Sequence, residues 1–150
     1  MEIETTPQLL DAVDTARIFW IPASRFAFDR SRTTVTELLQ RRNRKHHTVL
    51  DLDWRPMFWD SEEQAHAAIS PMLDHVTIAI GNRKECEVAV GTDDPDEAAD
   101  RMLDRGLDAA IVKLGGDGVM VATPQLRERL SPYPVEVVCG LGSGDAFGGA

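Results

Sequence analysis

Four short runs in the chain are apolar throughout instead of alternating: Arg17–Ala23 (RIFWIPA), Thr48–Leu52 (TVLDL), Val76–Ile80 (VTIAI) and Ala109–Leu114 (AAIVKL). That pattern belongs to strands buried on both faces, as in a parallel sheet. Stretches with helical spacing separate them. Thr33–Arg42 gathers Val35, Leu38 and Leu39 on one side and closes on arginines, whose charge suits a helix C-terminus. Ser61 followed by Glu62, Glu63 and Gln64 reads as an N-cap with an acidic first turn, opening a helix that runs to about Leu73. A further helix begins at Asp94 or Asp96 and is ended by Gly106. Strands alternating with helices of this length predict an α/β fold, a mostly parallel sheet with flanking helices joined by right-handed crossovers. The Gly-rich turn Gly115–Gly118, followed by Val119–Ala122, predicts a hairpin and therefore an antiparallel edge. Pro124, Pro132 and Pro134 mark a loop region, and a last short strand, Val135–Val138, leads into Gly140–Asp145. Asp145–Ala150 reads as the opening of a helix at which the sequence stops, so the expectation is a piece of a longer protein.

Composition narrows the functions such a fold could carry. The 150 residues, 43% hydrophobic and 27% charged, suit one globular domain. The formal net charge of -9 argues against partners held through backbone phosphates, and against anionic membrane surfaces. No nucleic-acid or membrane partner is expected, whereas a nucleotide needs only a local positive site. Cys86 and Cys139 lie far apart in no metal-ligand spacing and read as reduced thiols, which fits the cytoplasm. The opening MEIETTPQLL lacks the basic and apolar regions of a signal peptide, and no apolar run approaches the roughly 20 residues that span a bilayer.

Candidate chemistry gathers after the strands. In Gly140–Asp145 (GLGSGD), three glycines between a strand and a helix allow a ligand close to the backbone, and the helix start adds free N–H groups and partial positive charge. Asp145 could accept a proton from an incoming hydroxyl. The same residues also make a tight turn with an aspartate cap. A dinucleotide fingerprint fails because Asp145 takes the third glycine's place, and a Walker P-loop fails for want of a lysine. In Asp51-Leu52-Asp53-Trp54-Arg55-Pro56, alternation puts Asp51, Asp53 and Arg55 on one side at a strand end. The carboxylates could bind sugar hydroxyls and the arginine an anion, or the three could form a surface ion cluster. Asn82 and Glu85 could serve phosphates and a hydrated Mg²⁺, or be a helix cap with an acidic first turn. Lys113–Gly118 could lie along a nucleotide or be a plain hairpin. Trp54 and Trp59 read as packing residues. His46, His47, His66 and His75 show no ligand spacing, and no hydrolase motif is present.

The order of these motifs, D-x-D-x-R-P, N-x-x-E, K-L-G-x-x-G and G-x-G-D, each after a strand, resembles the PfkB (ribokinase-like) carbohydrate kinases. SR-x-T-x-x-x-L from Ser31, VLDLDWRPMFW, GNRKECEVAVGTDDP, PVEVV and GLGSGDAFGGA look like the branch of that family that phosphorylates 5-dehydro-2-deoxygluconate in myo-inositol catabolism. The resemblance implies that Asp145 is the general base, with Gly142, Ser143 and Gly144 offering anion-hole amides. It places Asn82, Lys113, Gly115 and Gly118 at the nucleotide, Glu85 at Mg²⁺, and Asp53 and Arg55 at the sugar acid. ATP and Mg²⁺ are the implied cofactors. Residues 1–150 would form the central part of a single kinase domain, without the N-terminal lid region through which family members form dimers and without the C-terminal part of the nucleotide site. A homodimer therefore stays open for a full-length chain, and the 150 residues alone are expected to be inactive. Other sugar kinases of the family (ribokinase, fructokinase, 2-keto-3-deoxygluconokinase) and a non-catalytic nucleotide-binding remnant remain alternatives. Two departures stand out. Cys139 lies where relatives often carry asparagine, and Ser24-Arg25-Phe26 replaces a Gly-rich, threonine-bearing turn, which puts substrate contacts there in question.

Overall fold

The computed structural model describes residues 5–136, 140 and 142–149. Its centre is a six-stranded sheet in the order of the sequence: β1 (Ile18–Pro22), β2 (His47–Asp51), β3 (Ile78–Asn82), β4 (Ala109–Lys113), β5 (Val119–Ala122) and β6 (Arg127–Leu130). The first four are mutually parallel, and β5 and β6 pair antiparallel. The helices are α1 (Pro7–Thr15), α2 (Asp29–Arg42), α3 (Glu62–Ile69), α4 (Arg83–Val90), α5 (Pro95–Leu103) and α6 (Ser143–Gly149). The expected mostly parallel α/β sheet and its antiparallel edge are both present.

Local chemistry sets the helix boundaries. Thr6, Ser61, Asn82 and Asp94 each accept an N–H of the first turn through a side-chain oxygen. Gly91 ends α4 in the left-handed conformation that costs glycine little. Pro71 has no N–H to donate, and the helix expected to reach Leu73 is a regular α-helix only to Ile69, followed by a 3-10 stretch, Ser70–His75. The helix expected at Thr33 starts a turn earlier, at Asp29. The strand expected at Val76–Ile80 lies two residues later, and Thr77 instead uses its hydroxyl and backbone to tie down Thr48 and Asp108. Two elements were not expected at all: α1, and β6 within the region read as loop. Val135 and Glu136 are not in a strand, and residues 137–139, including Cys139, lie outside the described residues.

Because the parallel strands follow in strict order, crossovers of one hand carry α2 to α5 to the same face of the sheet. There Leu50, Leu52, Ala79, Ala110, Val112, Met120 and Ala122 form the core with Val35, Leu39, Leu73, Ala89, Ala99 and Met102 from the helices and their connections. The opposite face is also apolar but less covered: Ile18 and Trp20 of β1 and Leu130 of β6 are exposed, and Ile78, Ile111, Val119 and Val121 are half-buried. Burial on both faces, expected from the uninterrupted apolar runs, is thus complete on one side only. Cys86, on the buried face of α4, is fully covered, and burial pushes its thiol up to about 12, as an inert core thiol requires. Among the described residues no helix is long and apolar enough to cross a membrane.

Candidate active site

Parallel strands all end on the same side, and ligands in open α/β sheets bind there. A cleft of about 610 Å³ opens at that edge. Asp51, Asn82 and Lys113 are the last residues of β2, β3 and β4, and all three line it. Asp53 and Arg55 follow β2, and Glu85 stands in the first turn of α4. Gly115 and Gly118 lie in the turn before β5, and Gly142, Ser143, Gly144 and Asp145 bring the start of α6 to the same cleft. Every residue that the resemblance placed at the site therefore borders one cavity.

Lys113 is at its centre. Its Nζ lies 3.9 Å from Asp51 Oδ1 and 3.6 Å from Glu85 Oε2, and a Cβ added at Gly144 would stand 3.6 Å from it. The ammonium thus sits beneath the first turn of α6, among carboxylates. Asn82 and Glu85 form a full capping box: Asn82 Oδ1 accepts the Glu85 N–H at 2.9 Å, and Glu85 Oε2 accepts the Asn82 N–H at 2.7 Å. The helix-cap reading of this pair holds, and the same pair borders the cleft. In the glycine loop the Ser143 amide turns back to Gly140 O at 3.3 Å.

Burial raises the carboxyls of both Asp51 and Glu85 above their ordinary values of 3.8 and 4.5, with Lys113 opposing the shift in each and the neighbouring acids adding to it. The folded chain thus holds these protons more tightly than the unfolded chain. The stability this confers is complete below their ordinary values and is lost as pH rises through the raised ones. Asp51→Asn should therefore unfold at a higher urea concentration than the wild type at pH 7.5 without Mg²⁺, and the advantage should vanish near pH 3.5. Urea titrations at the two pH values check this.

Among the described residues no group of three or more His, Cys, Asp or Glu side chains is arranged to hold a metal ion. Mg²⁺ does not need such a cage: it keeps most of its waters and takes one or two carboxylates alongside substrate phosphates. Glu85, with Asp51 beside it, fits that demand, since a cation would relieve the cost of their burial.

The sequence reading had not assigned three contributors. Ser24 donates its Oγ to Asp53 Oδ2 at 2.6 Å, although nothing in its own segment announces the contact. Leu130 and Phe147 give the cleft an apolar lip. Trp54 and Trp59 pack, as expected: Trp59 belongs to the core, and Trp54 packs against it with the Lys84 ammonium 5.6 Å from its ring.

The sheet thus runs in sequence order, and the glycine loop with Asp145 borders the cleft at its strand ends. The chain belongs to the pfkB family of carbohydrate kinases, whose sequence profile matches residues 2–150. It is 29% identical to a 5-dehydro-2-deoxygluconokinase of Clostridium perfringens over 147 residues, covering 93% of this chain and 43% of that protein. It is 26% identical to an ATP-dependent 6-phosphofructokinase of Thermoanaerobacterium thermosaccharolyticum, covering 97% of this chain and 45% of that one. A fructokinase of Vibrio cholerae, solved with fructose, ADP and calcium ion, superposes with a TM-score of 0.78 at 21% identity over 88% of this chain and 43% of that one. The chain spans less than half the length of these relatives.

Proposed function

We propose that the full-length gene product carrying this chain transfers the γ-phosphoryl group of ATP to a hydroxyl of a sugar acid, with 5-dehydro-2-deoxygluconate as the acceptor and its 6-phosphate and ADP as products. The observation that carries this reading is the shared cleft: a carboxylate at a helix start (Asp145), an arginine for an anion (Arg55) and a lysine among acids (Lys113) all face one cavity. In this reading Asp145 takes the proton of the attacking hydroxyl as its oxygen bonds to phosphorus, and ADP departs. The amides of Gly142, Ser143 and Gly144 stabilise the charge on the transferring group, and Asn82, Lys113, Gly115 and Gly118 hold the nucleotide. Glu85 would hold Mg²⁺, which neutralises phosphate charge when bound. Asp53 and Arg55 would bind the acceptor, the guanidinium pairing with its carboxylate. The 150 residues alone are proposed to lack turnover.

Another sugar kinase of the family is the second reading, and the similarity to a 6-phosphofructokinase favours it. An assay of ADP release by the full-length protein, with ATP, Mg²⁺ and a panel of 5-dehydro-2-deoxygluconate, 2-keto-3-deoxygluconate, fructose 6-phosphate, fructose and ribose, separates them. The primary reading expects the highest kcat/KM for the first acceptor. A preference for a neutral sugar would overturn it, and no turnover with any acceptor would point to a nucleotide-binding remnant.

A further inference from the structure

Parallel pairing of β1 with β2 sets Pro22 opposite Asp51. Two residues beyond each, the chain carries Ser24, in a 3-10 turn that spans Ala23–Ala27, and Asp53. The register therefore brings side by side two residues that are 29 apart in sequence. Ser24 is buried, and its hydroxyl donates to Asp53 Oδ2 at 2.6 Å, a length typical of a strong, charge-assisted bond. The other oxygen, Asp53 Oδ1, accepts Nε of Arg55 at 2.8 Å. One carboxylate is thus held from behind by Ser24 and itself holds a guanidinium in front. Among the described residues Asp53 engages Nε alone, and the fork of terminal nitrogens is available there on a side chain that is 54% exposed and borders the cleft. Arg55 lies outside any regular element, between β2 and the 3-10 turn Pro56–Phe58, so backbone structure alone does little to aim it.

We infer that Ser24 is a positioning residue for the anionic acceptor: it fixes Asp53, which presents the Arg55 fork to the acceptor's carboxylate. The inference rests on the reading of Arg55 as the carboxylate contact. The effect of Ser24 falls on acceptor binding, because neither Ser24 nor Asp53 needs to change contacts as the phosphoryl group moves.

The test uses steady-state kinetics of the full-length protein with 5-dehydro-2-deoxygluconate and ATP. Ser24→Ala is expected to raise KM for the sugar acid about tenfold, the scale of one hydrogen bond to a charged group, with kcat and the KM for ATP close to wild type. Ser24→Thr, which keeps the hydroxyl, should restore most of the lost affinity. Arg55→Met separates this inference from the reading beneath it. If Arg55→Met weakens the sugar acid while Ser24→Ala behaves as wild type, the role of Ser24 is overturned and that of Arg55 stands. If Arg55→Met leaves the KM unchanged, both fall. An equal loss in kcat and in ATP affinity on Ser24→Ala would mark Ser24 as merely structural and also overturn the inference. Should Ser24→Ala fail to fold, Ser24→Cys keeps the volume with a much weaker donor. It should show the same rise in KM, and a wild-type KM would sink the idea.

Discussion

Asp145→Asn in the full-length protein should lower kcat by about 10²–10⁴-fold, the usual worth of a positioned general base, while the binding of ATP and of the sugar acid changes little. Asparagine has nearly the shape of aspartate and can still receive a hydrogen bond from the acceptor hydroxyl, but it cannot take the proton. Three observations single out this residue. Asp145 stands in the first turn of α6, where backbone N–H groups are unspent by the helix ladder. It lines the same cleft as Arg55, Asn82 and Lys113. Its charge is the smallest of the influences that raise the Asp51 carboxyl, so the two acids lie within electrostatic reach of each other. Steady-state turnover beside calorimetric binding of each substrate checks the expectation. A variant within tenfold of the wild-type kcat would remove the base from the scheme, and a loss of binding equal to the loss of rate would make the residue a ligand contact instead.

The residues of this site were legible because the chain places them where strands end. An uninterrupted apolar run marks a strand, and the first polar residues after it must lie at the edge of a parallel sheet. Asp51, Asn82 and Lys113 obey that rule, and so the order of the motifs carried more information than any motif alone. Contacts between segments were not legible. The Ser24–Asp53 bond depends on the register of β1 against β2, which apolar runs do not specify. β6 was hidden by its composition, Arg127-Glu128-Arg129-Leu130, which reads as solvated chain. It is a strand because β5 offers it a ladder and because Arg127 pairs with Asp96 and Asp100, and Arg129 with Asp96, on α5. α1 was missed although a cap is present: Thr6 accepts the Leu9 N–H at 3.1 Å and Pro7 opens the helix. Its apolar stripe is short, and the side chain that ties it down, Arg42, lies 26 to 29 residues away and donates to the carbonyls of Val13 and Ala16.

Gly118→Ala should destabilise the chain by about 3 kcal/mol or more, the largest stability loss expected from any single methyl group here. Gly118 has φ 93° and ψ −135°, a region close to the mirror image of the β conformation and nearly forbidden to residues with a side chain. Backbone strain is only part of the cost. A Cβ at this glycine would lie 2.0 Å from the carbonyl oxygen of Leu130 and 3.1 Å from Pro132 Cδ, so the clash is with the backbone of β6 and cannot be relieved by turning a side chain. The Leu114 N–H also donates to the Gly118 carbonyl at 2.8 Å, which closes the turn between β4 and β5. To admit the methyl group, either that turn opens or β6 leaves β5. Both movements displace the wall of the cleft, since Gly118, Leu130 and Pro132 line it together. Gly116→Ala, in the same turn, is the control: it has open space around it and should cost far less. Urea denaturation of the two variants checks the difference. In the full-length protein Gly118→Ala should also weaken nucleotide binding, and a variant as stable as Gly116→Ala would show that the turn does not hold β6 against the cleft.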